Sequence, residues 1–132
     1  MKRITIIAAV ALLWVGLLSP AEAVSGRELK EQCNSDKNGL LYGICIGYIV
    51  GYIHGMDYGV IMTILLTTED ENTYEEAKQI NEHLHRICIP NGVQRGQLPL
   101  IILKFLDDNP QRLHESSRFL VADALRLAFP CK

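Results

Sequence analysis

The residues with the clearest chemistry in this sequence are its four cysteines, Cys33, Cys45, Cys88 and Cys131. None of them forms a Cys-x-x-Cys pair, which is a common start of a zinc site. His83 and His85 are two residues apart and would point in different directions on a helix, so we expect no metal site. An even number of cysteines in a small secreted domain is typical of disulfide bonds instead.

No group of side chains in the sequence points to catalysis. The Gly-x-Ser-x-Gly nucleophile motif and the His-Glu-x-x-His zinc motif are both absent from it. Asp57 is the one acid in a long apolar segment and could be a buried catalytic acid. We expect it instead to accept hydrogen bonds from a tyrosine or from the backbone, beside His54, in a structural polar network. The sequence therefore predicts no enzymatic activity, no catalytic residue and no cofactor.

The N-terminus has the pattern of a secretory signal peptide. A basic start, Lys2-Arg3, precedes an apolar run over residues 4–18, and Ala21-Glu22-Ala23 has small residues at the offsets that a signal peptidase requires. We predict that residues 1–23 are the signal peptide, that cleavage follows Ala23, and that the protein is periplasmic. The alternative is an uncleaved N-terminal anchor. Residues 24–132 have the length of one small domain.

The charge of this domain argues against nucleic acid as a partner. Residues 24–132 contain 11 basic residues (13 less Lys2 and Arg3) and 14 acidic ones (15 less Glu22). The net charge is therefore about −3, with no polybasic patch that could neutralise phosphates.

The periodicity of apolar residues predicts an all-α domain, a small bundle of about four to five helices. Thr73-Tyr-Glu-Glu76 matches a capping box, and Asn109-Pro110 matches an N-cap followed by a first helical residue. The predicted helices lie near residues 25–32, 40–68, 74–86, 98–106 and 110–129.

The turns between these helices suggest how the cysteines pair. In an antiparallel helical hairpin, residues equidistant from the turn lie side by side. Cys33 and Cys45 are centred on Gly39, and Cys88 and Cys131 are centred between residues 109 and 110. Both midpoints coincide with predicted turns, so we favour Cys33–Cys45 and Cys88–Cys131. The two other pairings remain open at this stage.

The long apolar segment at residues 40–68 has a glycine at every fourth position, namely Gly43, Gly47, Gly51, Gly55 and Gly59. Its length and its small-residue spacing are also those of a transmembrane helix. Asp57 near mid-span and the acidic sequence that follows favour a water-soluble helix, without membrane insertion. We expect the glycines to form a groove in which another backbone lies close, with Tyr48, Tyr52 and Tyr58 beside it.

Several short motifs together resemble the Rap/Tai family of periplasmic immunity proteins associated with bacterial type VI secretion. They are Cys45-x-Gly47-Tyr48-Ile49-x-Gly51 with Asp57, then Cys88-Ile-Pro90-x-Gly92-Val93 with Gln97-Leu98, then Lys104-Phe105-Leu106 and Pro110, and finally Phe129-Pro130-Cys131. The resemblance extends from about residue 33 to residue 131. Residues 62–86 match no family pattern.

The resemblance implies a helical, disulfide-bonded periplasmic protein, often a homodimer. Members of the family bind and block cell-wall amidase effectors, so the implied partner is a protein toxin. On this reading the matched residues other than cysteine have structural roles: Gly47, Tyr48, Gly51, Asp57, Pro90, Gln97 and Pro130. The alternative function is a helical periplasmic binding protein or acid-stress chaperone unrelated to toxins.

Two segments are candidates for contact with a partner. An inhibitor of this kind needs a rigid scaffold that presents a loop or helix end to the cleft of the toxin. The first candidate is the acidic run Glu69, Asp70, Glu71, Glu75 and Glu76, which could pair with basic groups around that cleft. The second is the segment at residues 91–97, with Asn91, Gln94 and Arg95. The alternative for the acidic run is a solvated loop and helix start.

Overall fold

The computed structural model of the protein describes residues 23–67 and 73–131. Its helices are α1 (Gly26–Cys33), α2 (Leu40–Thr67), α3 (Thr73–His85), α4 (Gln97–Asp108) and α5 (Ser117–Ala128), with a short 3-10 helix at Pro110–Arg112. No β-strand occurs in the described ranges; a single isolated bridge joins Ser25 to Ser116. The predicted all-α bundle of about four to five helices is confirmed. The predicted signal peptide lies outside the described residues, apart from Ala23.

The two disulfide bonds are the predicted ones. Cys33–Cys45 joins α1 to α2 across the first turn, and Cys88–Cys131 joins the two ends of the α4–α5 hairpin. The described chain contains no free cysteine. On the chain-entropy account, loops of 12 and 43 residues stabilise the fold by about 3 and about 4 kcal/mol. These bonds matter because a domain of this length has a small apolar core.

The core lies where α1, α2, α4 and α5 meet. Its largest fully buried side chains are Leu29, Ile49, Ile102, Leu106, Leu120 and Leu125. The apolar residues of α4 and α5 recur at helical spacing, so each helix turns one face towards this core. The α3 helix packs mainly along α2 and extends the bundle as a hairpin.

The last helix begins later than the sequence predicts. Pro110 starts only a 3-10 turn, and α5 begins at Ser117. The reason is that two carbonyl groups of this segment are already occupied: Leu113 accepts a hydrogen bond from the Arg27 N–H, and Glu115 accepts one from the Gly26 N–H. A continuous helix would need the same carbonyl groups for its own i to i+4 bonds.

The expected packing on the glycine groove is wrong for the described chain. A Cβ atom placed on any of the five stripe glycines would meet nothing within 4 Å, whereas one on Gly26 would collide with Leu120. The glycine face of α2 is open. By length and composition alone, α2 could cross a membrane, with a mean hydropathy of 1.5. Unlike an isolated span, it is joined to α1 by a disulfide and packs along α3.

Candidate functional site

The α2–α3 hairpin carries a polar pair in its interior. The Asn81 side-chain amide of α3 donates a hydrogen bond to the Asp57 carboxylate of α2. The two residues are equidistant from residue 69, as an antiparallel hairpin requires. The donor to Asp57 is therefore an asparagine, and the expectation of a tyrosine or backbone donor is wrong.

A cavity of about 160 Å³ lies beside this pair. Side chains of α2 and α3 enclose most of it, and Ile87 and Ile89 close one end. Its polar lining comes from Asp57, Asn81 and Glu82, with Lys78 at the wall. The Oδ1 atom of Asn81 is buried and has no hydrogen-bond partner among the described residues. The cavity thus combines apolar walls with carboxylates and an unused acceptor.

Two residues of the first candidate contact segment, Glu75 and Glu76, lie in the same hairpin. Glu75 and Glu76 are exposed in the first turn of α3, where carboxylates interact favourably with the helix dipole. Glu69, Asp70 and Glu71 lie outside the described residues. Nothing in the described chain covers Glu75 or Glu76, so both carboxylates are accessible to a partner.

The second candidate segment lies beside the middle of α2. Asn91, Gln94 and Arg95 are exposed in the turn before α4, where Gly92 has a φ angle of 102° that favours glycine. Gln97 begins α4, and its Oε1 accepts a hydrogen bond from the Gln94 N–H at 2.7 Å. Arg95 borders a shallow groove with Ile53 and His54 of α2.

The two candidate segments are separated along α2. Glu75 lies near the end of α2 by the hairpin register, because residues 63 and 75 are equidistant from residue 69. Arg95 lies near residue 54. A difference of nine residues is about 14 Å along a helix, so one extended partner surface could contact both segments.

The open face of α2 is an extended apolar surface. Besides the five glycines, it exposes Leu40, Ile44, Tyr58, Leu65 and Leu66. No Asp, Glu, Lys or Arg lies on this face, because Asp57 is the only such residue in the helix and it points towards α3. A face of this kind is typical of a surface that another apolar surface covers.

Other residues matched by the motifs hold the scaffold together. The Tyr48 hydroxyl donates to Ser117 Oγ, which in turn donates to the Val24 carbonyl. The Cys88 N–H donates to the Phe129 carbonyl next to Pro130. The Pro90 carbonyl accepts from the Val93 N–H in the turn before α4.

Three titratable groups of the scaffold have pKa values that their surroundings shift. Burial raises the pKa of Tyr52, and the nearby Arg126 partly opposes this effect. The hydrogen bond from the Arg112 guanidinium lowers the pKa of Glu115, while the same contact raises the pKa of Arg112. None of these three groups lines the cavity.

The described residues contain no group of three or more His, Cys, Asp or Glu side chains that could hold a metal ion. The four cysteines are all in disulfide bonds, so none of them is a thiolate ligand or nucleophile.

Comparison with protein families identifies the chain. The sequence profile described as Rap1a immunity proteins matches residues 25–131, which include all four cysteines and every helix of the described ranges. The chain belongs to the Rap1a immunity protein family. This confirms the resemblance to Rap/Tai proteins. No curated protein and no solved structure matches the Rap1a chain.

Sequence reasoning missed two residues of the Rap1a domain that the structure brings into contact with motif residues. Asn81 is paired with Asp57, and Ser117 is paired with Tyr48. The midpoint rule that paired the cysteines would have placed Asn81 opposite Asp57. No comparable signal exists for Ser117, because 69 residues separate it from Tyr48.

Proposed function

We propose that this protein is a periplasmic immunity protein that binds and inhibits a peptidoglycan amidase effector delivered by type VI secretion. The observation that carries the proposal is membership of the Rap1a immunity family over residues 25–131. The inhibition is occlusion: the protein blocks the substrate groove of the toxin and performs no catalysis.

The α2–α3 hairpin is suited to this role. Its α3 helix packs mainly along α2, the Asp57–Asn81 hydrogen bond links the two helices, and a disulfide bond joins α2 to α1. The acidic run, Glu69, Asp70, Glu71, Glu75 and Glu76, contacts basic groups around the groove of the amidase, and α3 presents the last two of these carboxylates in its first turn. The segment with Asn91, Gln94 and Arg95 adds a second contact. A preorganised surface binds well because little conformational entropy is lost.

Co-expression tests this function. The candidate toxin is an amidase encoded beside the gene, directed to the periplasm together with this protein. We expect cells to survive and the two proteins to purify as a stoichiometric complex. The proposal fails if neither that amidase nor other cell-wall amidases are bound or neutralised. Client protection that depends on pH would instead favour an acid-stress chaperone.

A matched pair of variants tests the contact surface. In the first, all five acids of the run are replaced by the corresponding amides, and we expect weaker binding of the amidase. In the second, Glu28→Gln and Glu31→Gln remove two exposed carboxylates from α1, on another part of the molecule. Equal affinities of the two variants for the amidase would contradict the assigned surface.

We further propose that the protein is a homodimer through the open face of α2. The helix has 28 residues and is about 42 Å long, so two copies crossing on their glycines can approach closely over an extended apolar strip. Cleavage after Ala23 releases this dimer into the periplasm without membrane insertion. Fractionation is the test of release: recovery in the membrane fraction would contradict it.

A further inference from the structure

The cavity between α2 and α3 has the size of a small planar group. Its volume is about 160 Å³, close to that of engineered protein cavities that hold one benzene molecule. Ile53, Met56 and Ile61 of α2 form apolar walls, and Asp57 and Asn81 are on its polar side.

The polar side of this cavity has an acceptor without a donor. Asn81 is only 8 % exposed, and its Oδ1 has no hydrogen-bond partner among the described residues. Rotation of the amide does not solve the problem, because Oδ1 would then face the Asp57 carboxylate, which is also an acceptor. A buried acceptor left unpaired is destabilising, so a donor from outside the described chain would stabilise this site.

The charges around the cavity favour a cation. Asp57 and Glu82 each contribute a carboxylate, and Lys78 contributes one ammonium group. Within the described residues no ion pair joins Lys78 to either carboxylate. The two carboxylates and the one ammonium group leave one net negative charge, which a single cationic group would balance.

We propose that this cavity binds a guanidinium group, either of a free small guanidine compound or of an arginine side chain on a protein partner. The planar group has several N–H donors for the Asp57 carboxylate and Asn81 Oδ1. Its faces are weakly hydrated and pack against the apolar walls more readily than an ammonium group does. This inference does not depend on the immunity function.

Titration with a small probe tests the site. The probe is N-acetyl-arginine amide, and its control is N-acetyl-citrulline amide, which has the same shape but no charge. In the folded protein, we expect the arginine probe to shift the side-chain amide NMR signals of Asn81 saturably. The affinity of the citrulline compound should be lower by a factor of about ten or more, since it cannot form a charge-assisted hydrogen bond. Equal binding of the two probes would overturn the proposal.

Variants localise the binding. Asp57→Asn should weaken binding of the arginine probe about tenfold, whereas Asp107→Asn, which removes an exposed acid from α4, should not. Because Asp57→Asn could also loosen the hairpin, Ile61→Phe provides a second variant that fills the cavity and keeps the Asp57–Asn81 hydrogen bond. Unchanged binding in Ile61→Phe would overturn the assignment.

A competition experiment distinguishes the two sources of the guanidinium group. If the group belongs to a protein partner, saturating probe should weaken binding of the co-encoded amidase. If it belongs to a free compound, the amidase affinity should stay the same. Either result supports the site, provided that the probe itself binds. Failure of the amidase to bind would contradict the immunity function and leave the probe result unaffected.

Discussion

Ser117 joins three segments that are distant in the sequence. Its side chain is fully buried at the start of α5. The hydroxyl donates to the Val24 carbonyl at 2.7 Å and accepts a hydrogen bond from the Tyr48 hydroxyl at 2.6 Å. A hydroxyl group has one donor and two acceptor positions, so both contacts can be made at once. The N-terminal segment, α2 and α5 are thereby held in register.

The first prediction concerns this hydroxyl. We expect Ser117→Ala to lower the free energy of unfolding by about 1–3 kcal/mol, because the half-buried Tyr48 hydroxyl loses its acceptor. Chemical denaturation is the measurement. The neighbouring Ser116 caps α5 without a side-chain hydrogen bond, so Ser116→Ala is the control and should have a smaller effect. If the effects of Ser117→Ala and Tyr48→Phe on the free energy of unfolding are additive in the double variant, the two hydroxyl groups are not energetically coupled.

At the level of single residues, the sequence predicts contacts only where a local rule applies. The midpoint rule paired all four cysteines correctly, because both cysteine pairs flank a turn in a helical hairpin. The predicted donor to Asp57 is wrong, because the actual donor, Asn81, belongs to no sequence motif that would identify it. The Tyr48–Ser117 contact depends on how α2 and α5 pack, and no turn relates these two helices.

At the scale of elements, the connection from α4 to α5 is held by an ion-pair network. Arg112 contacts Glu115 at 2.7 Å and Asp123 at 2.8 Å, and Arg126 contacts Asp123 at 3.1 Å. The guanidinium of Arg112 thus links the 3-10 turn to the middle of α5. This link fixes the segment whose carbonyl groups receive the N–H groups of Gly26 and Arg27.

The second prediction is a pH dependence of this connection. The pKa of Glu115 is lower in the folded protein than that of an ordinary glutamate side chain, mainly because Arg112 donates a hydrogen bond to its carboxylate. A carboxyl group with a lowered pKa stabilises the fold above its unfolded pKa, and the contribution is lost as the pH falls through the folded pKa. The free energy of unfolding should therefore decrease below about pH 4.5. In the Glu115→Gln variant this decrease should be smaller than in the unaltered protein.

Thermal unfolding between neutral and acidic pH measures this effect. The control is Glu31→Gln, which alters an exposed carboxylate on α1 without a described ion pair. An identical decrease in the melting temperature of Glu115→Gln and of the unaltered protein would show that Glu115 does not contribute.

Element boundaries follow from sequence where the deciding contacts are local. Ser25 accepts a hydrogen bond from the Glu28 N–H and begins α1 as a normal N-cap. Pro110 has an equally clear local signal, yet α5 begins at Ser117. The deciding contacts there come from Gly26 and Arg27, more than 80 residues earlier, and no local pattern reports them.

At the scale of the whole molecule, the open face of α2 is the surface of the proposed dimer. Five interior glycines lower the helix propensity of α2 by about 1 kcal/mol each relative to alanine. Within one chain they bring no compensating contact, because all five face open space. The spacing of the glycines predicts close packing against another backbone. Because no backbone of the described chain lies there, that backbone would have to belong to another molecule.

The third prediction separates these effects. We expect the double variant Gly47→Ala and Gly51→Ala to stabilise the isolated chain by about 2 kcal/mol and to weaken the dimer. Sedimentation equilibrium measures association, and denaturation of the dilute protein measures stability. Gln79→Ala also raises helix propensity, but it changes an exposed residue of α3, so it should leave association unchanged. A fully monomeric unaltered protein would contradict the proposed dimer.

The contact between Val24 and Ser117 also bears on the order in which the chain folds. These residues are 93 positions apart, and the bridge between Ser25 and Ser116 has a similar separation. A chain that emerges with its N-terminus first therefore completes α2 and α3 before the docking site for its own beginning exists. Closing so long a loop is slow, so the first residues should be among the last to reach their final position. Until then the N-terminal segment stays accessible to processing enzymes.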